Sequence, residues 1–293
     1  MEYLTVPIIL AALVTLAPYF AIAFWGNSVT RSVQRWPILL RVLLPAVLCI
    51  PYLLVSISAE RFQWQWLALY AVLPVAIAFL LTQARGIDVH KRGNWRDWLV
   101  LVPLGLAVDL RWFEAAWPAH LAVFNKIILL DAGMYGFIVL RELEGVGADL
   151  RIRLRDLWPG LREFLFYTPI AITLGLSMGF LHWHAVWSTP WWFAGAWIFT
   201  FLFIAVPEEL FFRGWMQNLM ERRIGRLPAL LLTSILFGLS HWNKRTTGFN
   251  WQYVALAALA GIFYGRAWRQ NRRVAASAIT HATVDTVWSI WLH

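Results

Sequence analysis

Pro207-Glu208-Glu209-Leu210-Phe211-Phe212-Arg213-Gly214 places two carboxylates and an arginine where the sequence on either side, Trp191 to Val206 and Phe211 to Met220, is almost wholly apolar. An ionisable group at membrane depth is costly unless it finds a partner, so by default it marks a functional position. Read as the first turn of a helix, the stretch loses nothing by the missing N–H of Pro207, and the acids behind it face the positive end of the helix dipole. Glu209 and Arg213 are then at i and i+4 with the acid N-terminal, the better orientation for an ion pair. Glu208 points about 100° away and has no local partner. This assigns Glu209 and Arg213 to structure and Glu208 to chemistry; the alternative is one structural ion-pair network of all three.

The composition decides the solvent. Sixty per cent of the 293 residues are hydrophobic and 14% are charged, and the mean hydropathy is positive. Such a chain cannot hide its apolar groups in one aqueous core. The expected fold class is all-α, a polytopic transmembrane helix bundle. The net charge of +9 sits in short loops between apolar runs. That pattern fits membrane topology and speaks against a nucleic-acid partner. Cys49 is the only cysteine, which excludes an intrachain disulfide or a thiolate metal cluster. Glu2 and the lack of a basic leader argue against a cleaved secretory signal, so the first span is expected to be retained.

Apolar runs of spanning length lie at about 3–25, 37–58, 64–83, 119–140, 164–181, 191–220, 227–242, 253–268 and 274–291. A shorter run, Trp98 to Leu110, reaches about 20 Å against a hydrocarbon core of about 30 Å, as a tilted span or an interfacial helix. Counted as a pass, it makes the loop charges alternate. Nineteen Lys and Arg fall in one set of loops, and Arg61, Arg111, Lys244 and Arg245 in the other. The positive-inside rule puts the first set in the cytoplasm, giving about ten passes (eight to ten), both termini outside, in a plasma (inner) membrane. Many of the 20 tryptophans end runs and suit interfacial belts. The arginine-rich connection Arg141 to Glu163 separates an N-terminal region of unassigned role, 1–150, from a core, 151–293.

Two histidines share the apolar runs with the opening motif. His241 closes Phe237-Gly238-Leu239-Ser240-His241, and His281 and Asp285 stand at i and i+4 on the last run. A lone buried histidine is usually a packing residue; two, with a membrane carboxylate, on three separate helices change that reading. Counted along the helices, Glu208 and His241 lie roughly 20 Å and His281 roughly 12 Å from the cytoplasmic ends, depths at which they can meet. Such a convergence suits hydrolytic water, with or without a metal. A zinc-type site would take Glu208, His241, His281 and Asp285 as ligands or base, although H-E-x-x-H is absent. Asp131, in the middle of its run, is expected to face the bundle interior, too far along from Lys126 for an easy pair. His182 and His184 read as interfacial anchors, and Gly261 and Gly265 as a close-packing face.

Together Glu208-Glu209-x-x-Phe212-Arg213-Gly214, Phe237-x-x-x-His241 and His281-x-x-x-Asp285 resemble the motif set of the CPBP (Abi) family, intramembrane endopeptidases of the CAAX-protease and bacteriocin-processing type. The resemblance covers roughly 162–293. It implies that Glu208, helped by His241, activates the attacking water, that His281 and Asp285 stabilise the oxyanion, and that Glu209, Arg213, Phe212 and Phe237 support them, with no cofactor required. The family most often has asparagine at the last position. An ionised Asp285 cannot donate to an oxyanion, so it is protonated by burial, orients His281, or helps to bind a metal. The resulting expectation is an endopeptidase acting in the bilayer, near its cytoplasmic half, on a membrane-associated peptide or protein. The rivals are a non-catalytic scaffold or immunity protein that binds a partner on the same fold, and a transporter, which should show repeated halves that the sequence lacks.

Overall fold

The computed structural model describes residues 5–184, 190–244 and 248–292; Arg245, one of the outer-loop charges, lies outside them. The described residues contain no strand, and ten helices of ten residues or more. These are α1 Val6–Val33, α2 Ile38–Ser58, α3 Trp64–Ile87, α4 Trp95–Asp109, α5 Ala119–Leu140, α6 Leu154–Ser177, α7 Trp191–Ile224, α8 Arg226–Leu239, α9 Trp251–Asn271 and α10 Val274–Trp291. Five of them, α1, α2, α3, α5 and α7, are long and apolar enough to cross a membrane. The chain is therefore a membrane-embedded helical protein. Helices α6, α9 and α10 are long enough but less apolar, because they carry Arg155, Asp156, Arg162 and Glu163, Arg266 and Arg269, and His281 and Asp285 respectively.

Backbone contacts divide the chain after Glu144 into two compact units. In the first, Asn94 caps α4: its side chain accepts from Arg96 N–H, while Asp97 Oδ2 accepts from Asn94 N–H at 2.8 Å. Asp97 is wholly buried and lies 2.8 Å from Arg141 Nε; Arg141 also binds Asp88. One arginine thus ties the start of α4 to the end of α5. Tyr70 accepts from Trp117 Nε1 at 2.7 Å and donates to Asn125 at 3.0 Å, giving a buried relay of polar groups. Asp131 faces the interior at 1% exposure, with no hydrogen-bond partner for either oxygen among the described residues. Lys126 instead approaches Glu114, at 3.9 Å.

The second unit is held together by close backbone approach. A Cβ on Gly261 would stand 2.9 Å from Ser234 Cα, and one on Gly238 would stand 2.5 Å from the Val254 carbonyl oxygen. Helices α8 and α9 therefore touch along the small residues that the G-x-x-x-G pattern marks. Gly147 has φ +74°, and its added Cβ would meet Arg272 O at 2.0 Å. Its carbonyl accepts from Val274 N–H at 3.0 Å. Arg273 donates to the carbonyls of Asp149 and Arg151 at 3.0 and 2.8 Å and to Asp156 at 2.5 Å. The segment after Glu144 thereby clamps the turn between α9 and α10, fixing the start of the helix that carries His281.

Helix α7 departs from the sequence reading. The sequence places Pro207 at a helix start; the structure places it in the interior of α7, with helical φ and ψ at Thr200, Ala205 and Glu209. Phe201–Ala205 and Leu210–Gln217 are π-helical and flank the α-helical Val206–Glu209. A π turn shifts the hydrogen-bond ladder by one residue, which accommodates the N–H that Pro207 lacks. Glu208 and Glu209 thus sit mid-helix, far from any helix N-terminus, and the dipole does not account for them.

Candidate active site

The two adjacent glutamates of α7 part company as their spacing requires. Glu209 is fully buried, with Oε2 3.2 Å from Arg213 Nε, in an ion pair whose N–H is not aligned for a hydrogen bond. Arg213, also fully buried, donates through Nη2 to Gly261 O at 3.0 Å. Its guanidinium lies over the rings of Phe237 and Tyr264, 4.6 and 5.4 Å from their centroids. Aromatic faces attract a desolvated cation, which explains how an arginine is held here. Glu208 has a side chain 28% exposed, and its Oε2 has no hydrogen-bond partner among the described residues.

Glu209 does more than neutralise Arg213. Its Oε1 lies 2.9 Å from His281 Nδ1, and Ser277, one turn before His281 on α10, donates its hydroxyl to Oε2. The other ring nitrogen of His281, Nε2, stands 3.4 Å from Asp285 Oδ2 and 3.9 Å from Glu208 Oε2. The imidazole is 3% exposed and stacks on Tyr264 with centroids 4.6 Å apart and an interplanar angle of 17°. Phe237 meets it edge to face at 5.7 Å. Orientation and height of the ring are thus set from both sides. Asp285 occupies the place of an acceptor for His281, one of the three roles left open by the sequence.

His241 lies two residues beyond the end of α8, in the turn that leaves it; its N–H is hydrogen-bonded to Gly238 O at 2.9 Å. Its Nδ1 is 2.8 Å from Phe237 O. A carbonyl only accepts, so Nδ1 is protonated and Nε2 is left with the free lone pair in the neutral ring. Phe237 packs against both histidines, at 5.0 Å from His241 and 5.7 Å from His281, and crosses Phe212 at 88°. Glu208, His241, His281 and Asp285 all line one cavity of about 270 Å³. The structure therefore gathers the four candidate catalytic residues, with Glu209, Arg213, Phe212 and Phe237 packed behind them.

Sequence reasoning missed Ser277 and Tyr264, which fix Glu209 and His281, and Lys244, which also lines the cavity. Ser277 sits one turn before His281, a spacing that could have flagged it; nothing local marks Tyr264. No three of the described His, Cys, Asp and Glu side chains are grouped as metal ligands. His281 has both nitrogens directed at carboxylates, whereas His241, with Nδ1 on a carbonyl, keeps the lone pair of Nε2.

Fold and site together define a membrane-embedded helical protein with a sheltered carboxylate and two imidazoles around one cavity. Residues 190–287 match the family model described as Type II CAAX prenyl endopeptidase Rce1-like, in agreement with the resemblance to the CPBP/CAAX protease type. All four cavity residues fall inside the match, while 1–189 lie outside it. No curated protein and no solved structure matches the chain.

Proposed function

We propose that this protein is an intramembrane endopeptidase in which Glu208 is the base. The observation that carries this reading is the Glu208 carboxylate, whose Oε2 makes no hydrogen bond among the described residues, on the same cavity as His241 and the carboxylate-bound His281. Water held between the Glu208 carboxylate and His241 Nε2 gives a proton to Glu208 as its oxygen attacks the scissile carbonyl. His281 has carboxylate oxygens facing both nitrogens, so both carry protons, and Nε2–H is free to turn from Asp285 to the developing oxyanion. Glu208 then passes its proton to the leaving amine, and the peptide bond and one water become a carboxylic acid and an amine. Glu209 and Asp285 act by holding His281.

We read the chain as ten passes in a plasma membrane, with both termini outside and no metal or cofactor needed. Leu181, Lys244 and Leu292, which follow the C-terminal ends of α6, α8 and α10, line the cavity. The arginine-rich turn at Arg222, Arg223 and Arg226 lies at the other end of this unit, on the side the loop charges assign to the cytoplasm. We therefore place the mouth of the cavity in the outer half of the bilayer rather than near its cytoplasmic half. A depth of roughly 20 Å from the cytoplasmic end already passes the middle of a core about 30 Å thick. In a Cys49→Ser background, Asn243→Cys is expected to react with an impermeant maleimide on intact cells, and Arg223→Cys only after permeabilisation. The opposite pattern would reverse the topology.

The activity is tested with purified protein in lipid nanodiscs and a library of apolar peptides, prenylated and unprenylated. New amino termini should form at a rate unchanged by EDTA or phenanthroline. Loss of cleavage on chelation, restored by zinc, would replace the glutamate mechanism with a metal one. Absence of any product from folded protein would favour the scaffold reading.

A further inference from the structure

Tyr264 lines the cavity against His281, and the mechanism above gives its hydroxyl no task. Helices α9 and α10, joined by the short turn at Arg272 and Arg273, run antiparallel, so that Tyr264 meets His281 while Tyr253 meets Trp288. A side chain on a helix leans toward the N-terminus of that helix. Tyr264 therefore leans along α10 in the direction from Ser277 to Asp285. The contacts agree: Tyr264 O lies 2.9 Å from Ser277 Oγ, and the ring stacks on His281, one turn further on. The phenol oxygen, at the far end of that ring, is carried past the imidazole toward Asp285, whose charge acts on it more strongly than those of Glu209 and Arg213. No hydrogen bond joins this hydroxyl to a described residue. Nearby donors on the cavity wall are committed elsewhere. Tyr167 donates to Leu256 O at 3.2 Å, Thr168 to Phe164 O at 2.7 Å and His241 Nδ1 to Phe237 O at 2.8 Å, while the Lys244 ammonium acts on the Glu208 carboxylate. An oxyanion accepts more than one hydrogen bond, and an ionised Asp285 can give it none.

We propose that Tyr264 is a further catalytic residue, whose hydroxyl gives the oxyanion a second hydrogen bond beside that from His281 Nε2–H. This rests on the protease reading of the same cavity. A phenol holds its proton at neutral pH, and here it keeps that proton throughout, so no covalent bond forms or breaks at Tyr264. The test compares wild type, Tyr264→Phe and Tyr167→Phe in lipid nanodiscs. Phenylalanine keeps the ring on His281 and removes the hydroxyl alone. Tyr264→Phe should lower kcat roughly 100- to 1000-fold, the range for loss of one oxyanion donor, with KM within about twofold. Tyr167→Phe gives up a bond to a backbone carbonyl instead and should cleave within a few-fold of wild type. A second readout needs no turnover. A fluorescent peptide phosphonamidate, whose anionic tetrahedral group stands in for the oxyanion, should bind Tyr264→Phe roughly tenfold or more weakly than wild type. The parent peptide should bind Glu208→Gln protein equally with and without Tyr264→Phe. A Tyr264→Phe rate within a few-fold of wild type, a raised KM at unchanged kcat, equal affinity for the phosphonamidate, or the same losses in Tyr167→Phe would each overturn the proposal. Phosphonamidate binding that depends on Tyr264, in a protein that cuts no peptide, would sink the protease reading alone.

Discussion

Glu208→Gln protein should cleave peptide about a hundred- to ten-thousandfold more slowly than wild type, the range for loss of a positioned general base. Glutamine keeps the volume of the side chain and replaces an acceptor that takes a proton with an amide that cannot. The fold should survive, because Glu208 Oε2 makes no hydrogen bond that the substitution would break and the side chain is partly exposed to the cavity. The same change at Glu209 would be confounded, since that carboxylate holds Arg213, Ser277 and His281 at once. The measurement is the initial rate of new amino-terminus formation, with unchanged thermal unfolding as the control. A Glu208→Gln rate within a few-fold of wild type would remove this residue from the chemistry and with it the mechanism proposed above.

The split between the two glutamates was legible because it depends on positions within one helix. A spacing of four with the acid first pairs Glu209 with Arg213, and the next residue over must point elsewhere. The i and i+4 spacing of His281 and Asp285 was legible for the same reason, as was the small-residue face at Gly261. What joins separate helices was not. That Glu209 rather than Glu208 accepts from His281 Nδ1 depends on which face of α7 meets α10. No local spacing rule reports that. The π segments around Pro207 were hidden because a one-residue shift in hydrogen bonding leaves no mark in composition. The clamp at Gly147 was hidden too, since its need for a positive φ and no Cβ arises from a chain segment more than a hundred residues away. Lys244 was counted as a loop charge, which its sequence neighbourhood supports; only the cavity shows what else it faces.

Arg213→Met should destabilise the protein by about 3–5 kcal/mol, the range for stripping one partner from a buried ion pair. The change leaves Glu209 charged, with zero exposure, beside aromatic rings in place of a guanidinium. Glu209→Gln should cost a similar amount, because it strands Arg213, two of whose nitrogens already lack hydrogen bonds, and takes an anionic acceptor from His281. The double variant, Glu209→Gln with Arg213→Met, removes both charges. It should regain most of the lost stability, as buried pairs replaced by neutral groups often do. Its activity should not return, because His281 Nδ1 would still face an amide rather than a carboxylate, and the ring would lose one of the two anions that keep both its nitrogens protonated. Thermal unfolding of the four proteins in one detergent gives the coupling energy, and cleavage of one peptide gives the second readout. Strictly additive losses of stability would show that Glu209 and Arg213 are not a unit. Activity restored along with stability would show that Glu209 serves the fold and not the orientation of His281.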